Sequence, residues 1–149
     1  MAFKGSAQAT DDLKLGATIE VQFESNSTAD INQADNTAGG TNSFTQRKLE
    51  VFASSKRLGT LTMGQGSTAS DGMTESDLSG TDLVGYSAVA DSGAGLSFAT
   101  ANTGAITGNP TVGGAFDNLD GLSRDDRLRY DTPNMKGLVL STSSVDGGE

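Results

Sequence analysis

The chain of 149 residues is long enough for one ordinary domain, yet 34% hydrophobic and 5% aromatic residues, no Trp and 20 Gly leave little with which to fill a packed interior. A net charge of −9 excludes a phosphate-backbone partner, which needs Lys and Arg to neutralise it, so no nucleic acid is expected. Absence of both Cys and His removes disulfide scaffolds, thiolate metal sites, most hydrolase triads and the commonest general base.

Met1 to Thr10 lacks the basic start and apolar run of a secretory signal, and no strand is assigned there. No stretch approaches the roughly 20 consecutive apolar residues of a membrane-crossing helix. From Asp12 to Glu24 the chain alternates strictly. Leu13, Leu15, Ala17, Ile19, Val21 and Phe23 take one side, while Asp12, Lys14, Gly16, Thr18, Glu20, Gln22 and Glu24 take the other. A period of two predicts a strand with one apolar and one polar face. It is longer than the usual 5 or 6 residues and suits the 9 to 11 of a tilted membrane-crossing strand.

A polar connection from Ser25 to Ser43 leads to a second strand, Thr45 to Ser54, with Leu49, Val51 and Ala53 opposite Lys48, Glu50 and Phe52. A tight turn at Ser55, Lys56 and Arg57 and a strand from Leu58 to Gly66 complete a predicted hairpin. Gly66 to Thr81 is a polar, acidic connection longer than most loops in compact domains. Short strands are read at Leu83 to Val89 and Leu96 to Ala99, and a Gly/Asn/Thr-rich loop from Ala101 to Ser123. Asp126 to Asp131 alternates again, with Leu128 and Tyr130 opposite Arg127, Arg129 and Asp131. A turn at Thr132, Pro133 and Asn134 precedes a last strand from Gly137 to Ser143, with Leu138 and Leu140 on its apolar face. No segment has helical periodicity, so the class is all-β. Short turns alternating with long loops, around strands with one clean apolar face, predict part of a transmembrane antiparallel β-barrel: about six or seven strands of a water-filled barrel of roughly 16.

Two segments carry a family resemblance. RLGTLTMGQGSTASDG, Arg57 to Gly72, resembles the strand that precedes the constriction loop of bacterial outer-membrane general porins. SRDDRLRYDTPNMKGLVLSTSS, Ser123 to Ser144, is similar to the strand pair that follows it. Weaker similarity runs from AFKGSAQATDDLKLGATIEVQFE to the end. The resemblance implies a single partial porin domain over residues 1–149, an interior section lacking signal peptide, first strand and C-terminal half. It implies passive diffusion of ions and small hydrophilic solutes in the outer membrane of a Gram-negative bacterium, among lipid and lipopolysaccharide, as a homotrimer, and a channel that is no enzyme and needs no cofactor and no metal. Gly66 to Thr81 would be the constriction loop. Its acids would be Asp71, Glu75 and Asp77, with Asp82 at its exit, facing Lys48, Arg127 and Arg129 on the pore wall. Acid opposite base sets up a transverse field that orients dipolar solutes. Arg47 shares the register of Leu49 and Val51, so it is expected at the lipid interface or in a subunit contact.

Other readings are weaker. A secreted or surface-attached β-rich adhesin or structural protein suits the composition, but no short repeat is present. A glycosidase using Asp77 and Asp125 lacks an aromatic platform for sugar, with no Trp and 2 Tyr. Asp117 to Gly121 looks like a calcium loop until Gly121 is aligned with the loop glycine, which puts Phe116 at the first ligand position and Arg127 where Glu is required.

Overall fold

The computed structural model describes residues 1–24, 31–34, 43–73, 80, 93–116 and 121–146, which fall into two units. Met1–Phe23, Phe44–Asp71 and Leu122–Glu149 form the first, and Glu24–Ser43 and Gly72–Gly121 the second. The first is a six-stranded open sheet of β1 (Ala2–Gln8), β2 (Leu13–Glu24), β3 (Ser43–Ser55), β4 (Gly59–Ser67), β5 (Arg124–Asp131) and β6 (Ser141–Val145). Each strand lies beside its sequence neighbour, in the order β1-β2-β3-β4-β5-β6. The β1–β2, β3–β4, β4–β5 and β5–β6 pairs are antiparallel. Contacts from Asp12 to Ser55 and from Glu20 to Arg47 run in opposite senses along β2 and β3, as antiparallel neighbours require. The short connections 9–12, 56–58 and 132–140 therefore gather at one end of the sheet, and the long ones leave from the other.

Register carries the two faces across the whole sheet. Phe3 pairs with Ile19, Val51 with Met63, Met63 with Leu128, and Leu61 with both Ala53 and Tyr130. Residues directly opposite in a ladder share a face, so the apolar positions of neighbouring strands fall in line. They are not covered. Ile19 is 46% exposed, Val51 50% and Met63 57%, and among the described residues no large side chain is fully buried. A soluble monomer rarely exposes so continuous an apolar surface; this one is built to meet an apolar surrounding. Tyr130, near the short-turn end of that face, donates its phenol to the Leu58 carbonyl at 2.8 Å.

Several elements differ from the sequence reading. β1 is a strand where none was expected. Its apolar side is only Phe3, Gly5 and Ala7, too slight a stripe to read, and pairing with β2 supplies what the pattern lacks. β4 runs on through Gly66 and Ser67, so the long connection leaves the sheet at Thr68. β6 begins at Ser141, later than Gly137, because Lys136 and Gly137 have φ of 58° and 100° and form a turn bridged from Met135 to Leu138. Leu140 donates to the Thr132 hydroxyl, which delays the ladder further. The strand read at Leu83 to Val89 lies outside the described residues. That at Leu96 to Ala99 is reduced to one bridge between Ser97 and Thr111, followed by a single-turn helix α1 (Val112–Ala115) capped by the Thr111 hydroxyl. In this second unit Gln33 pairs both ends of its amide with the Ser97 backbone, at 2.6 and 3.0 Å.

The turns are joined by one carboxylate. Asp12, closing the β1–β2 connection, accepts from the Ser55 hydroxyl at 2.6 Å and the Lys56 N–H at 3.2 Å, with the Arg57 guanidinium 3.6 Å away. The Ser55 hydroxyl, with that N–H and the nearby cation, holds the Asp12 carboxyl below the usual carboxylate range. A group with a depressed folded pKa stabilises the fold fully above its unfolded pKa, and that contribution is lost as pH falls through the folded one. Asp12→Asn should therefore be less stable than the wild type at neutral pH, with the difference vanishing in acid, as read from urea midpoints in detergent across pH. A second test concerns Gly64, whose φ is +109° and where a Cβ would overlap the Leu49 carbonyl oxygen. Gly64→Ala should lose about 1 to 3 kcal/mol in the same unfolding measurement.

Candidate functional site

The face opposite the apolar one carries the charges. Glu50 and Arg127 both pair with Gly64, one from β3 and one from β5. Since Gly64 has no side chain, the two can meet across β4, and Arg127 Nη2 lies 2.5 Å from Glu50 Oε2. Gly66 extends the same clearing, for a Cβ there would come within 2.8 Å of Arg127 Nη2. The guanidinium also donates to the carbonyls of Gly64 at 2.6 Å and Ser67 at 2.9 Å. Arg127 is the one buried charged residue among those described, at 6% exposure. A buried cation persists only when paired and hydrogen-bonded, and three acceptors meet that demand. Phe52 uses a further glycine, lying across Gly16 of β2 with Lys4 Nζ 5.5 Å from its ring centre.

Arg129 stands one pleat along. Its Nη2 lies 2.8 Å from Asp131 Oδ1, and its Nη1 donates to the carbonyls of Thr68 at 2.8 Å and Ser67 at 3.3 Å. These are the residues at which the chain leaves β4. Thr68, 3% exposed, continues the ladder by donating to the Ser123 carbonyl. Ala69 then turns: its N–H donates to Ser143 Oγ at 2.9 Å. Ser143 belongs to β6 and pairs with Arg129, so it sits on the polar face two strands from β4. The connection thus begins by crossing β5 on the polar side. Asp71, two residues on, accepts from the Ser123 hydroxyl at 2.9 Å.

Arg47 and Lys48 reach the same carboxylate. Arg47 Nε is 2.8 Å from Glu20 Oε1, Lys48 Nζ is 3.9 Å from Glu20 Oε2, and Arg47 also donates to the Gln22 side chain. Consecutive residues of a regular strand point to opposite faces, so the alternation is broken between them. Arg47, expected on the apolar side, is instead drawn to the polar-face carboxylate of Glu20.

Of the residues singled out from the sequence, Lys48, Arg127 and Arg129 share the polar face, each with a carboxylate partner. Asp71 lies in the connection after β4, where it accepts from the Ser123 hydroxyl, while Glu75, Asp77 and Asp82 fall outside the described residues. Sequence reasoning did not single out Glu50, Gly64, Gly66, Ser123 or Ser143. Each sits at the right parity, but matching β4 to β5 across a connection of unknown path cannot be done from a pattern. Among the described residues no helix is long and apolar enough to cross a membrane and no group of acids is arranged to hold a metal ion.

If the Glu50–Arg127 pair is the buried contact that fixes β3 and β5 across β4, Glu50→Gln should lower the stability of the sheet by about 3 to 5 kcal/mol in urea titrations. The more exposed Glu20→Gln should cost about 1 kcal/mol or less.

A sequence model of the Gram-negative porin family matches residues 1–148. No match was found among curated proteins or among solved structures. The family match covers nearly the whole chain and agrees with an antiparallel meander whose faces prefer different solvents. The chain belongs to the Gram-negative porin family, which places it in the bacterial outer membrane as a channel-forming protein rather than an enzyme.

Proposed function

We propose that the six strands are a section of the wall of a water-filled barrel of about 16 strands, through which ions and small hydrophilic solutes diffuse passively. The apolar face of Ile19, Val51, Met63 and Leu128 meets outer-membrane lipid and lipopolysaccharide, and in a homotrimer part of it meets a second copy. The polar face of Glu50, Arg127 and Arg129 lines the pore.

The observation that carries this reading is the course of the chain after β4, which bends across the polar face toward Ser143. A connection starting there is directed over the water side of the wall. On this reading the loop read as Gly66 to Thr81 narrows the pore, with Asp71, Glu75, Asp77 and Asp82 supplying its acidic side. Lys48, Arg127 and Arg129 supply the basic side. Opposed charges across a narrow water path orient dipolar solutes and disfavour apolar ones without binding them tightly.

The complete barrel that contains this wall section, purified and added to planar lipid bilayers, should give stepwise conductance; none, under conditions where a control porin inserts, overturns the pore. Replacing Asp71→Asn, Glu75→Gln and Asp77→Asn together should move the reversal potential in a salt gradient away from cation preference. An unmoved reversal potential removes these acids from the constriction.

A further inference from the structure

Resting on the reading of the polar face as a pore wall, we infer that Arg129 and Ser143 are positioning residues, a bracket that fixes where the long connection crosses the wall. The inference starts from how the guanidinium is used. Arg129 is anchored from below by Asp131, whose carboxylate it meets through Nε and Nη2 at 2.8 to 3.1 Å. Asp131 is itself held by the Ser141 hydroxyl at 2.5 Å. So oriented, the planar fork turns its remaining donor, Nη1, to two successive carbonyls, those of Ser67 and Thr68. Those carbonyls belong to the last residue of β4 and the first of the connection. From the neighbouring strand Ser143 Oγ receives the Ala69 N–H.

Three consecutive residues of the departing chain are therefore held by two side chains on adjacent strands. None of the three contacts requires a net charge facing the water. A guanidinium fork suits two carbonyls while staying paired to a carboxylate, whereas an ammonium at the same place acts as a compact point charge and cannot span them. Arg127, two residues from Arg129, supports the same turn by donating to the Ser67 carbonyl. The constriction's geometry then depends on an uncharged hydroxyl, Ser143, as much as on Arg129.

The test separates charge from position. Arg129→Lys keeps the charge and removes the fork, Ser143→Ala removes only a hydroxyl, and Ser143→Thr keeps one. In detergent micelles, amide hydrogen exchange at Thr68 and Ala69 should speed up by about tenfold in Arg129→Lys and Ser143→Ala, the change expected from one lost hydrogen bond. Ser143→Thr should restore wild-type exchange. In planar bilayers the complete barrel carrying either of these two changes should show noisier, altered single-channel conductance with ion selectivity nearly unchanged. The inference is overturned if Arg129→Lys exchanges and conducts as the wild type while Arg129→Gln shifts selectivity, for Arg129 then acts through its charge. It is equally overturned if Ser143→Ala leaves the Ala69 amide as protected as before. Exchange that responds in a protein that never conducts keeps the bracket and discards the pore, so the two failures are distinct.

Discussion

The pleat of a β-strand assigns every side chain to one of two faces, and all else in this sheet depends on six strands agreeing about which is which. A slip of one residue between β4 and β5 would carry Leu128 to the charged side and Arg127 to the apolar one. Nothing like a packed core can correct such a slip, because among the described residues none exists. Register has to be held by contacts on the polar face. Glu50 and Arg127 meet only because both are paired with Gly64, and shifting either strand by one residue would part them.

Glycine has a constructive part in this arrangement. Over Gly64 and Gly66 lies an arginine, and over Gly16 a phenylalanine ring. In each case the missing side chain of one strand gives room for a long one from its neighbour. A wall one residue thick thereby gains a second layer on its polar side. The high glycine content, which argues against a conventional domain, is at these positions what allows a sheet without an interior to have packing at all.

Much of the wall was legible in the sequence, since alternation is local. β2, β3, β4 and β5 follow from counting, and so does the sharing of one face by Lys48, Glu50, Arg127 and Arg129. What could not be read depends on partners. β1 is a strand because β2 is beside it, and β6 starts late because of backbone at Lys136 and Gly137 with φ values no pattern announces. The polar-face network escaped for the same reason: Glu50 and Arg127 are 77 residues apart, and their meeting needs both the register and the absence of a side chain between them. Arg47 shows the limit most sharply, for one broken step in the alternation reversed its expected surroundings. The acids Glu75, Asp77 and Asp82 remain part of the proposal, placed by their position in the chain.

The carboxylate of Asp12 joins two hairpins that are each local in sequence, through a contact with a residue 43 positions away. Closing a hairpin across a few residues costs little chain entropy, whereas closing β4 onto β5 means closing a connection of more than fifty residues. A stitch between hairpin tips lets β1 through β4 come together before that larger closure. Chain entropy thus favours zipping from the short-turn end, with the long connection after β4 closed last.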